Sequence, residues 1–85
     1  MNYHVYILQS EIDGSYYVGC TQDLDARIAR HNQGRSKYTK ARRPWRLVFQ
    51  ESLPDRSSAV KREHQIKSRK SRKFIEKLVR ASRQS

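Results

Sequence analysis

Apolar residues fall in short bursts along this chain, and their spacing changes from a strand period to a helix period and back. From Tyr3 to Gln9 the β-formers Tyr3, Val5, Tyr6, Ile7 and Leu8 predict a strand. Glu11-Ile12-Asp13-Gly14 predicts a turn, because Asp-Gly favours positive φ. Ser15 to Cys20 then closes a hairpin as a second strand. Thr21-Gln22-Asp23 supplies N-cap candidates, and Leu24 and Ile28, one turn apart, predict a helix to about Asn32. Gly34 stands where a C-terminal cap belongs. A basic loop over residues 35–44 ends at Pro44. Trp45, Leu47 and Phe49 alternate, which predicts a third strand to Glu51 with these three on one face. Leu53-Pro54-Asp55 breaks the chain, and Asp55 or Ser57 can cap a second helix to about Lys67. The run Lys67–Lys73 has no apolar residue, so the helix should bend or restart at Ser71. A last short helix carries Phe74, Ile75, Leu78 and Val79. The expected fold is α+β: a small three-stranded antiparallel sheet flanked by helices, in β-β-α-β-α-α order. It would form one domain over residues 1–80, with residues 81–85 a frayed tail.

Composition adds bounds. The 85 residues allow one domain with a modest core. No apolar run is long enough to span a bilayer, and Met1-Asn2-Tyr3-His4 lacks the profile of a secretory signal. Cys20 is the one cysteine, so no intrachain disulfide forms. A reduced, cytoplasmic setting is the simplest reading.

Charge changes the picture more. The formal net charge is +11. Residues 1–34 hold two basic residues against four acidic ones, a net of −2, whereas residues 35–85 hold 17 against four, a net of +13. That density attracts a polyanion and releases its counterions, and nucleic acid is the expected partner. The basic helices lack a broad apolar face, which argues against a membrane surface. No exposed apolar motif points to an obligate protein partner.

Candidate chemistry follows from the predicted elements. Hairpin parity places Tyr6, Leu8, Tyr17 and Gly19 on one sheet face, with Gly19 near the partner of Tyr6. Two phenols beside an unfilled spot make a plausible pocket, although tyrosines also favour strands for packing alone. Arg27 and His31 share a helix face beside Leu24 and Ile28. That turns Arg27 partly inward, where its fork can clamp a phosphate; a salt bridge to Asp23 is the plainer alternative. Ala59, Glu63 and Ile66 fall on one helical stripe. A carboxylate there asks for a counter-ion: a divalent metal, or simply Lys67 at i+4. Lys37, Tyr38, Lys40, Arg42 and Arg43 suit phosphate contact and base stacking, and Lys67, Arg69 and Lys70 suit backbone contact. Lone histidines and one cysteine make a zinc site a poor fit.

The ordered succession of these features resembles the GIY-YIG nuclease family, closest to its small single-domain members. The first motif reads Val5-Tyr6-Ile7 and the second Tyr17-Val18-Gly19. Thr21-Gln22-Asp23-Leu24, Arg27, His31-Asn32 and Gly34 follow, then Lys37-Tyr38-Thr39, Arg43-Pro44, Leu47-Val48-Phe49 and Glu51, and last Ser58-Ala59, Glu63 and Ile66-Lys67. The resemblance runs from about Tyr3 to Leu78. Val5 stands where the family name has glycine and Val18 where it has isoleucine.

The resemblance implies phosphodiester hydrolysis with one divalent ion, Mg2+ or Mn2+. Glu63 would be its ligand, Arg27 would stabilise charge on the phosphate, Tyr17 would position the attacking water, and Tyr6 and His31 would assist. A phenol, with a reference pKa of about 10, is a weak base at neutral pH unless a cation lowers it. With one family carboxylate placed, water and phosphate oxygens would complete the metal's shell. The expected activity is a metal-dependent endonuclease acting on nucleic acid, DNA before RNA. The alternative is a non-catalytic basic DNA- or RNA-binding protein, RNA- or ribosome-associated.

Overall fold

The computed structural model describes residues 2–83. Three strands, β1 (Tyr3–Ser10), β2 (Tyr16–Thr21) and β3 (Trp45–Leu53), form one antiparallel sheet in the order β2-β1-β3. Three helices accompany it, α1 (Leu24–Asn32), α2 (Arg56–Ser68) and α3 (Arg72–Arg83), together with a short 3-10 turn at Lys40–Arg42. This is the α+β architecture and element order that the apolar pattern predicts.

The central strand explains the layers. Val5, Tyr6, Ile7 and Leu8 are all fully buried, so both faces of β1 are covered. Val5 and Ile7 pack with Val18, Ala59 and Ile66, joined by Phe74, Ile75 and Leu78 of α3. Tyr6 and Leu8 pack with Trp45, joined by Tyr17, Leu24, Ile28 and Leu47. One face therefore carries α2 and α3, and the other carries α1.

The caps fall where short polar side chains predict them. The Asp23 carboxylate accepts from the Ala26 amide at 3.1 Å, and the Asp55 carboxylate from the Ser58 amide at 2.8 Å. Gly34 closes α1 at φ +77°, in the left-handed region that favours glycine. α2 stops where the chain becomes wholly polar. Lys70 takes φ +47°, and the Ser71 hydroxyl accepts from the Phe74 amide to start α3.

Two details depart from the pattern. The expected shared face of Trp45, Leu47 and Phe49 is broken by a bulge. Phe49 pairs with Ile7 and Leu47 with Leu8, so Val48 is an extra residue. Beyond it Val48 and Phe49 both join the α2–α3 core, while Trp45 and Leu47 stay with the α1 core. Of the tail expected to fray, residues 81–83 are the last turn of α3, and residues 84–85 lie outside the described residues.

Candidate functional site

The α1 face of the sheet gathers four of the five residues singled out for catalysis. Tyr6 pairs with Gly19 across the hairpin. An ideal Cβ on Gly19 would stand 2.6 Å from the Tyr6 hydroxyl and 3.2 Å from the Tyr17 ring. The bare glycine is thus what lets the buried phenol occupy its place. Gly19→Ala should destabilise the fold by about 1–3 kcal/mol, because Tyr6 is fully enclosed and cannot step aside. Urea melts of wild type and variant check this; equal midpoints would show that the phenol relaxes freely.

The Tyr6 hydroxyl lies 3.2 Å from His31 Nε2, and His31 Nδ1 lies 2.8 Å from the Thr39 hydroxyl. Both ring nitrogens of this buried histidine are therefore engaged. The Tyr17 ring meets the imidazole edge-on at 4.9 Å between centroids. Burial first, then the Arg27 and Arg30 guanidinium groups, hold the His31 pKa below its usual 6.5. Burial first, then the neighbouring Tyr17, push the Tyr6 phenol up to about 12, against the opposing pull of the nearby Arg27 guanidinium. Tyr6 keeps its proton at neutral pH. It can donate and position, but it is not a resting base.

The histidine shift has a consequence for stability. An unfolded His31 takes up a proton as the pH drops below about 6.5, whereas the folded one resists. Its contribution is therefore present above the unfolded pKa and lost as pH falls through that value towards the folded pKa. The melting temperature should drop between about pH 7 and pH 5, and His31→Gln should flatten that slope. Parallel slopes for the two proteins would contradict this.

Arg27 is half-buried and lines a cleft of about 280 Å³ with Tyr17, Arg30, His31, Arg35 and Lys37. The inward turn expected from its helix position is what the structure shows. Asp23 is occupied in capping α1.

Glu63 stands elsewhere. Ala59 and Ile66 are buried against the opposite face of the sheet, so α2 lies in the other layer from Arg27 and Tyr17. Glu63 sits on the α2 side, close to Cys20 of the edge strand β2. Nor is it unpaired. Lys67 Nζ lies 2.6 Å from one carboxylate oxygen, and the side chain is 17% exposed. Burial raises its pKa, but the Lys67 ammonium bonded to it, with the neighbouring Cys20 thiol, outweighs this, and the net shift is downward. Glu63 is a carboxylate at neutral pH. Burial, followed by the neighbouring Glu63 carboxylate, pushes the Cys20 thiol up to about 11. The two halves of the site still sense each other, since Glu63 is among the groups that raise the Tyr6 pKa.

The basic residues divide in the same way. Lys37 and Tyr38 line the Arg27 cleft, and Lys40 is exposed on the 3-10 turn. Arg42 pairs with Asp13 at 3.3 Å, and the Arg43 guanidinium lies against Gly34. Arg69 covers the Phe74 ring at 4.4 Å. Lys70 lines a second cleft beside β2. Sequence reasoning gave no role to Thr39, which holds His31, or to Cys20, which lies beside Glu63. Each is a small polar residue within an unremarkable run, visible only once the chain brings its partner alongside.

Among the described residues no cluster of three or more His, Cys, Asp or Glu could hold a metal, and no helix is long and apolar enough to cross a membrane. The model for the GIY-YIG catalytic domain matches residues 2–77. The UPF0213 protein of Staphylococcus aureus strain Mu3 is 47% identical over 68 residues, which is 79% of this chain and 82% of that protein. UPF0213 protein SSP2268 of Staphylococcus saprophyticus is 46% identical over 67 residues, 78% of this chain and 80% of that one. The solution NMR structure of UPF0213 protein BH0048 from Bacillus halodurans aligns at 43% identity with a TM-score of 0.60, covering 95% of this chain and 85% of that chain. Laid on the letters of that family name, Tyr6 is the closing tyrosine of the first motif. The motif then begins at His4, one residue earlier than the pattern alone had it.

Proposed function

The chain belongs to the GIY-YIG family, a family of nucleases, and from that premise we propose that it hydrolyses phosphodiester bonds in nucleic acid, DNA before RNA, with the help of one divalent cation. The observation that carries this reading is the cleft in which Arg27 stands beside Tyr17 and His31. A pure phosphate-binding surface has no use for a buried Thr39–His31–Tyr6 chain behind its arginine.

Hydrolysis needs a water oxygen to attack phosphorus while the opposite P–O ester bond breaks. Negative charge builds on the phosphate oxygens as this happens. The forked donors of Arg27 match that charge, and its half-buried setting strengthens the contact over what water allows. The Tyr17 hydroxyl orients the incoming water. Tyr6, protonated, and His31, uncharged, hold the ring of Tyr17 and the Arg27 side chain in register.

Glu63 fits one hard cation of the magnesium type. Its carboxylate is charged at neutral pH, it is partly exposed, and Mg2+ takes most of its ligands from water and phosphate. When bound, Mg2+ or Mn2+ would supply Lewis-acid stabilisation of the phosphate oxygens. Lys67 would have to release the carboxylate oxygen it now holds.

The test is a cleavage assay on single-stranded, duplex and branched DNA and on RNA, with Mg2+ or Mn2+ and an EDTA control. Metal-dependent product from any substrate supports the reading. Tight binding with no product from any of them favours the non-catalytic binding protein instead.

A further inference from the structure

The Arg27 cleft is not the only basic hollow beside β2. A second one, of about 430 Å³, lies on the α2–α3 side of the same edge strand. Tyr17 lines both. Arg27, Arg30, Arg35 and Lys37 line the first. Lys67, Lys70 and Arg72 line the second, Lys67 paired with Glu63 and Arg72 with Glu76. No Asp or Glu lines either. The two clefts thus form a positive path that crosses the sheet edge at Tyr17, where the proposed chemistry lies.

Tyr38 also lines the first cleft. Its residue is 84% exposed, while the next residue, Thr39, is 1% exposed. Thr39 is fixed at two atoms: its carbonyl accepts from the Trp45 indole at 2.8 Å, and its hydroxyl bonds to His31 at 2.8 Å. An aromatic ring is therefore held out to solvent from a pinned backbone, among cations. A duplex offers such a ring little, because each base already has both faces covered. An unpaired base has an open face, and stacking on it is indifferent to which base it is.

Resting on the nuclease reading above, we propose that the substrate presents an unpaired strand, one base of which stacks on Tyr38 while its backbone crosses Tyr17 to the α2–α3 elbow. The shared chemistry is a single-stranded polynucleotide. Its phosphates meet cations on both sides of the reaction centre, and its sequence goes unread.

The test measures binding in EDTA, so that no cleavage intervenes. The probes are fluorescently labelled oligothymidylate, labelled oligouridylate and a blunt duplex of the same length. The single strands should bind more tightly than the duplex. Tyr38→Ala should weaken single-strand binding on the order of tenfold and leave duplex binding nearly unchanged. Tyr38→Trp should keep single-strand affinity, and the fluorescence of the introduced indole should be quenched by the single strand. Lys70→Gln should lower the salt slope of single-strand binding by roughly 0.7. The two single-strand probes separate a DNA source from an RNA source. Equal affinities of wild type and Tyr38→Ala for both single strands would overturn the proposal, while duplex binding would leave the nuclease reading standing. If wild type binds none of the three probes, both fall together.

Discussion

Replacing Arg27 with alanine should lower the cleavage rate by about 10²–10³ or more, the usual effect of removing one donor aimed at developing oxyanion charge. Arg27→Lys should fail nearly as badly. Lysine restores the charge but not the planar fork, and its compact ammonium is more strongly hydrated. Neither change should unfold the protein, because Arg27 is only half-buried and the caps of α1 are elsewhere, at Asp23 and Gly34. A second readout distinguishes lost chemistry from lost structure. Arg27 is among the groups that hold the His31 pKa down, so in Arg27→Ala that pKa should rise while the imidazole stays buried. NMR titration of the His31 ring reads this. Wild-type cleavage by Arg27→Ala would remove the arginine from the reaction.

Glu63→Gln should have the other large effect. The change is nearly isosteric, and the amide oxygen can still accept from Lys67, so the local packing is preserved. What it removes is the full negative charge that a cation requires. Losing even an outer-shell partner of a metal ligand typically costs 10–100-fold, so loss of the ligand itself should cost more, on the order of 10² or beyond in Mg2+. Binding to nucleic acid should survive or tighten, because a negative charge has gone and the basic clefts are intact.

Most of the fold was legible in the sequence because its local signals agree. The fully apolar run Val5–Leu8 announces a strand covered on both faces, the two aspartates cap the helices they precede, and Gly34 closes α1 with the φ that glycine favours. The bulge at Val48 was not legible, since an extra residue leaves the composition of a strand unchanged and shows only in its pairing. On the site, hairpin parity placed Tyr6, Tyr17 and Gly19 together, and helical spacing turned Arg27 inward. Both are short-range arguments. The placement of Glu63 is long-range: the Ala59–Ile66 stripe shows that α2 packs on the sheet but not on which face. Its pairing with Lys67 was readable at i,i+4, and the structure contains it. The supporting contacts of Thr39 and Cys20 depend on chain reversals that no local pattern encodes.

The central claim is that this basic domain turns over phosphodiesters with a metal held at Glu63. Single-turnover cleavage by wild type and Glu63→Gln, with protein in excess over a labelled flap-bearing DNA and with its RNA counterpart alongside, tests it most directly. In Mg2+ the wild type should convert substrate to product, EDTA should stop it, and Glu63→Gln should bind the same substrate and leave it whole. Cleavage by Glu63→Gln at the wild-type rate, or no cleavage by wild type of a substrate it has fully bound, would contradict the account.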